Sequence, residues 1–272
     1  MIEKMYAILY TDGELVLSNA EIENKKNVRM DYGEVFDNNI PWNENLEITS
    51  VIILDKLIPL TCADWFFGCK NLKCLKQFEN LCVKNVRDFT GMFAQCENLE
   101  EIPELDIEQG MDFSYMFADC KKLKKVYGID AWNMKNAECM KGMFLDCFTI
   151  HTLERLREWN VSQCENFERM FSHCVNLTDL SALSNWDVKN ARNMKAMFSG
   201  CLSLITIETL KNWNVKRCEN FAQMFEGCRN LEEIGKIEEW EISVYANIFH
   251  MYYDCNLFVC EEILGIIEEM ME

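Results

Sequence analysis

Residues 166 to 174 read NFERMFSHC, with apolar side chains at Phe167, Met170, Phe171 and Cys174. These stand at i, i+3, i+4 and i+7, the spacing of one helical face, and Asn166 before them is a residue type that caps helix starts. The same phrase recurs downstream as NMKAMFSGC (193–201), NFAQMFEGC (220–228) and NIFHMYYDC (247–255). Upstream it recurs as CMKGMFLDC (139–147), DFSYMFADC (112–120), DFTGMFAQC (88–96) and TCADWFFGC (61–69). After each motif cysteine the pattern changes to one apolar residue in three, as in Cys174, Leu177, Leu180, Leu183 and Trp186. The pattern predicts a helical turn or two, often closed by glycine (Gly68, Gly200, Gly227), followed by a largely extended return segment.

The motif cysteines, from Cys69 to Cys255, are spaced by 27 residues except for one step of 24 between Cys96 and Cys120. Fifteen residues before each lies a large apolar residue, Trp132, Trp159, Trp186, Trp213 or Trp240 in later copies and Leu54, Leu81 or Leu105 in earlier ones. The short step drops one triplet and keeps the register of the rest. Neither half of such a unit can bury its apolar side alone, so stacked copies must close a shared core of Met, Phe, Cys, Leu and Trp ladders.

The ends read differently. Residues 5–19 alternate apolar and polar around Asp12-Gly13, a hairpin signal, and ITSVIILDKL (48–57) continues as a strand. The expected organisation is a β-rich N-terminal cap over 1–53, eight units over 54–258 and a C-terminal capping helix over 259–272. Glu261, standing where Leu or Ile belongs, marks the decay of the last unit.

The residues of the pattern C-x-x-L-x-x-L, W-[ND]-V and N-[FM]-x-x-M-F-x-x-C resemble the BspA-type leucine-rich repeats of bacterial surface proteins. The likeness is to the subclass with a W-D-V-S-N-V-T-N-M-x-x-M-F unit and spans residues 54 to 258. The resemblance implies an α/β repeat: a curved, right-handed leucine-rich-repeat solenoid with short parallel strands on one face and short helices on the other. It also implies adhesion or protein binding without catalysis.

Charge and cysteine content narrow the function. The net charge is −18, of which residues 1–50 carry −6 and residues 256–272 carry −5, so the ends are the acidic parts. Such a balance disfavours nucleic acid and anionic lipid, whose recognition needs clustered Lys and Arg. Of fifteen cysteines, an odd number, eight share one repeat position, which points to a reduced, buried thiol ladder rather than a disulfide framework. No C-x-x-C knuckle or close His spacing suggests a metal, no glycine-rich loop suggests a phosphate, and no cofactor is expected. His151, His173 and His250 fall at different repeat positions without a nucleophile and acid beside them, so no catalytic residue is expected. The sequon-like NVS (160–162) and NLT (176–178) are products of the repeat. No secretory signal or apolar span is visible, which predicts a cytoplasmic protein, or a secreted or surface one if a leader lies outside this sequence.

The expected function is a monomeric, non-catalytic scaffold that binds a protein through the variable row four and five residues after each motif cysteine. Candidate contacts are Lys73, Glu100, Glu101, Lys124, Lys125, Tyr127, His151, Asp179, Glu232 and Glu233. The alternatives are an acidic intracellular inhibitor covering the nucleic-acid-binding surface of another protein, and a cell-surface adhesin.

Overall fold

The computed structural model describes residues 4–23, 25–235 and 240–256. Contacts divide the chain into two compact units, Met1–Trp132 and Asn133–Glu272. The capping helix expected over 259–272, with Glu261 and residues 257–258 of the last repeat, lies outside the described residues.

The first unit begins with a five-stranded sheet in the order β3-β1-β2-β4-β5. Its strands are β1 (Lys4–Tyr10), β2 (Glu14–Ser18), β3 (Val28–Phe36), β4 (Ser50–Ile53) and β5 (Cys74–Lys76). The Asp12-Gly13 hairpin forms as its sequence requires, pairing Leu9 with Leu15 across the turn. Gly13 has φ +85°, and a Cβ there would sit 2.6 Å from the Glu47 carbonyl oxygen, so only glycine fits. Alternation sends Ala7, Leu9, Leu15 and Leu17 to one fully buried face, while Ile8 and Val16 join Ile22 in a cluster on the other. The sheet then changes direction: β2 pairs with β4 in parallel, and β4 with β5 in parallel. Since β5 follows motif Cys69, the hairpin acts as the template on which the first repeat docks.

The repeat motif is not helical. Among the described residues there is no α-helix, and each motif is instead a run of turns. The cause is two left-handed residues per motif. The fourth position has φ +61° at Gly91, +58° at Gly142, +56° at Arg169 and +62° at Gln223; the eighth has +61° at Gln95, +58° at His173 and +72° at Gly200. Such residues cannot continue a right-handed helix.

The hydrogen bonds account for every N–H of the motif at 88–96 after its first residue. Phe89, Gly91, Phe93 and Gln95 donate outward to the Asp112, Ser114, Met116 and Ala118 carbonyls of the next coil, at 2.7 to 2.9 Å. Met92, Ala94 and Cys96 donate back three residues, to Phe89, Gly91 and Phe93. The remaining Thr90 N–H is taken by Asp88 Oδ1 at 3.0 Å. The same Asx turn forms at Asn166, Asn193, Asn220 and Asn247. Asn166 therefore caps a turn rather than a helix, and its backbone bridges to Asn193 in a parallel ladder.

Ladders of identical residues fill the core of each unit. In the second unit Phe144, Phe171, Phe198 and Phe225 stack with successive centroids 5.7 Å apart, and Phe225 meets Tyr252 at 5.5 Å. The Trp186, Trp213 and Trp240 indoles donate to the Leu156, Leu183 and Leu210 carbonyls of the preceding coil at 2.8 to 3.1 Å. Cysteine at the motif's end has a comparable role. The thiols of Cys174, Cys201 and Cys228 donate to the Phe144, Phe171 and Phe198 carbonyls at 3.2 to 3.3 Å. A small side chain with a weak donor fits a closed space opposite a carbonyl. Burial pushes these thiols well above their ordinary pKa, that of Cys69 to about 12.

The return segment is extended over only a few residues. It forms β6 (Glu101–Ile102) beside β7 (Lys125–Val126), and single bridges at Thr152 with Asp179 and Thr206 with Glu233. Elsewhere the three-residue beat arises from tight turns. Leu177 donates to Cys174, Leu183 to Leu180 and Trp186 to Leu183, and 3-10 turns occupy Glu154–Leu156, Ser181–Leu183 and Glu208–Leu210. At three residues per turn, positions i and i+3 eclipse, so every third side chain points inward.

Candidate interaction surface

The candidate row sits where the return segments bridge, with apolar beats on either side turned inward and the residues between them turned to solvent. In the first unit the structure brings five candidates together. The N–H groups of Lys124 and Lys125 both donate to the Glu100 carbonyl, fixing the two coils in register. Lys124 Nζ lies 2.7 Å from Glu100 Oε2, with both side chains at least half exposed. That ammonium holds the Glu100 carboxyl below the ordinary carboxylate range. The Tyr127 hydroxyl donates to Glu101 Oε2 at 3.1 Å, and Lys125 Nζ stands 3.8 Å from the Tyr127 ring centroid. Lys73 is exposed at the start of β5 with its N–H on the Thr49 carbonyl. A parallel charge row runs one residue after the cysteines, where Glu97 lies between Lys121 (3.0 Å) and Lys70 (3.1 Å) and its carboxyl is correspondingly depressed.

In the second unit the candidates fall into two groups. His151 accepts the Thr178 N–H on its carbonyl, and the Asp179 carboxylate is turned onto its own chain, accepting from the Ser181 N–H at 2.9 Å. Glu232 and Glu233 are exposed and donate their N–H groups to the Ile205 carbonyl. Ile205 itself is 51% exposed, and Leu202 is 41% exposed. The row is thus a lattice of compensated charges in the first unit and a mixed polar and apolar surface in the second. Among the described residues no group of three or more His, Cys, Asp or Glu is placed to hold a metal ion.

One surface escaped the sequence reading. In the last described coil Phe249, His250 and Tyr253 occupy the third, fourth and seventh motif positions and form a stack of three rings. The signal was present in NIFHMYYDC, which puts aromatic residues where the coil before it has Ala222, Gln223 and Glu226.

A family model described as "Mycoplasma protein of unknown function, DUF285" matches residues 61–180 and 176–263. No curated protein matches the sequence. Among solved structures, the chain is similar to a leucine-rich repeat protein from Bacteroides ovatus ATCC 8483, at 13% identity over 89% of this chain and 77% of that one, with a TM-score of 0.34. It is also similar to a leucine-rich repeat protein from Eubacterium ventriosum ATCC 27560, at 14% identity over 93% of both chains and a TM-score of 0.32. A leucine-rich cell surface protein from Faecalibacterium prausnitzii A2-165 aligns at 13% identity over 84% of this chain and 86% of that one, with a TM-score of 0.24.

Proposed function

The chain belongs to the DUF285 family, and from that premise we propose that it is a non-catalytic scaffold that binds a protein partner through the exposed row between its apolar beats. The observation that carries this reading is the contrast between rows. Backbone bridges and buried ladders repeat from coil to coil, whereas the exposed positions change in charge, size and polarity at each step, from Lys124 over Glu100 to Ile205 beside Glu232. A fixed frame with a variable surface suits recognition of one large partner. An enzyme needs groups with tuned pKa values converging in one concavity, whereas within each unit the candidate residues sit on neighbouring coils at the surface.

In this reading the coils of each unit are leucine-rich repeats of the BspA-type subclass, wound right-handed as that resemblance implies. Both the cytoplasm and the cell surface accommodate such a role; no helix among the described residues is long and apolar enough to cross a membrane.

The test is capture of the partner from native lysate by the tagged chain, followed by charge reversal at Lys124, Lys125, Asp179 and Glu232. Loss of capture with an unchanged melting profile is the expected result. If neutralising acidic residues near the chain ends abolishes capture while row reversal does not, an acidic inhibitor of a basic protein replaces the scaffold. Turnover of any substrate by the purified chain would overturn both.

A further inference from the structure

We propose that the aromatic surface of the last described coil binds an arginine-rich segment of a protein. It uses none of the candidate-row residues, so this reading survives if that row is inert. Four of the coil's large side chains face solvent: Val244 is 79% exposed, Tyr245 94%, Phe249 63% and Tyr253 59%. His250 lies between two of these rings, 3.8 Å from the Phe249 centroid with planes 17° apart and 4.5 Å from Tyr253 with planes 16° apart. Stacking sets the three rings against one another while Phe249 and Tyr253 remain more than half exposed. The equivalent positions one and two coils earlier hold Ala222, Gln223 and Glu226, then Lys195, Ala196 and Ser199, so the frame does not require aromatic residues there. Contiguous exposed apolar surface marks an interaction site more often than a stability device.

The surroundings choose the occupant. Glu226 Oε2 accepts from Gln223 Nε2 at 2.6 Å, and its Oε1 stands 4.0 Å from His250 Nδ1, bringing a carboxylate to the stack. Residues 216–256 carry eight acidic and four basic side chains. This excess repels phosphate backbones, which excludes nucleic-acid bases as the stacking partner. A neutral sugar could use the ring faces but would gain nothing from the acid. A guanidinium uses both features: it is planar, weakly hydrated, stacks on aromatic faces and pairs with carboxylates.

The experiment titrates the full chain with an arginine-serine repeat peptide and with its lysine-serine counterpart at two salt concentrations, following heat or anisotropy. The arginine peptide should bind more tightly than the lysine peptide. Phe249→Ala and Tyr253→Ala should each weaken it about three- to tenfold, Glu226→Gln should weaken it less, and Tyr253→Phe should leave it near the parent value. Because these rings are exposed, the thermal transition should not move; if it does for an alanine variant, the comparison of Tyr253→Phe with Tyr253→Ser decides. Charge reversal in the candidate row should leave peptide affinity unchanged. Equal affinities for the two peptides, or alanine variants that bind as the parent does, would reduce the effect to net charge and overturn the proposal. So would retention on neutral glycans, or a concentration-dependent dimer abolished by Tyr253→Ala, in place of arginine binding.

Discussion

Replacing Arg169 separately by alanine and glycine reads the backbone of the motif directly, because helix and turn give opposite signs. Arg169 is exposed and has φ +56°. In the left-handed region a side chain with a Cβ costs about 1–2 kcal/mol, while glycine loses about 0.5–1 kcal/mol more chain entropy on folding than alanine does. Glycine should therefore be the more stable of the two variants by about 0.5–1 kcal/mol. In a helix interior the order reverses, with glycine worse by about 1 kcal/mol. Taking the difference between two variants at one exposed site cancels whatever the arginine side chain contributes.

The measurement is equilibrium urea denaturation of both variants alongside the parent, followed by circular dichroism and tryptophan fluorescence. Since the chain has two compact units, the quantity compared is the midpoint of each resolved transition, and only the transition of the second unit should respond. An alanine variant more stable than the glycine variant would mean that the motif is helical and that the alternating hydrogen bonds described above are wrong.

Phe198→Ala, which removes a fully buried ring from between Phe171 and Phe225, should cost about 3–5 kcal/mol, whereas Glu232→Ala should leave denaturation midpoints nearly unchanged. Gly227→Ala should cost only the left-handed strain of φ +72°, as nothing lies closer than 3.8 Å to the added Cβ, while Gly110→Ala places a methyl 2.2 Å from Cζ of the buried Phe113 ring and should cost more; paired melts compare them. Native thiol titration should label a minority, led by exposed Cys74, and denaturation without reductant should release nearly all fifteen cysteines. Pairs that resist titration until reduced would refute the thiol ladder. Excising residues 175–201, one whole unit, should leave a shorter folded chain with a cooperative melt.

The period, the beats, the N-terminal hairpin and the exposed row were legible because each is a property of side-chain type at fixed spacing. The conformation of the motif was not, because one apolar pattern serves two backbones. Phe167, Met170, Phe171 and Cys174 face inward from a helix, and they also face inward from a run of turns in which the second, fifth, sixth and ninth residues point to the core. The sequence did hold a discriminating sign at the fourth position, where Gly91 and Gly142 stand in the middle of the supposed helix. Aspartate at the eighth position in Asp119, Asp146 and Asp254 agrees with it, since Asp and Asn tolerate the left-handed region better than most residues. The aromatic stack of the last coil went unread for a different reason: Phe249, His250 and Tyr253 lie off the apolar face in either backbone, and only the structure shows the three rings stacked on one another.

The thiol ladder connects this backbone to a measurable response. The buried motif thiols of Cys174, Cys201 and Cys228 donate to carbonyls of the preceding coil and are held neutral by desolvation, so their pKa in the folded chain exceeds that of the unfolded chain. The unfolded chain therefore gives up these protons first as pH rises. In the linkage relation fewer protons are then bound in the unfolded state, and stability falls with increasing pH. The stabilisation is complete below the ordinary thiol value of 9.0 and is lost progressively toward about 12 at Cys69. Denaturation midpoints of the parent should thus decline from pH 9 upward more steeply than those of a variant in which Cys201 and Cys228 are alanine. Equal slopes would mean that these thiols ionise as easily folded as unfolded, which a closed core of stacked phenylalanines does not allow.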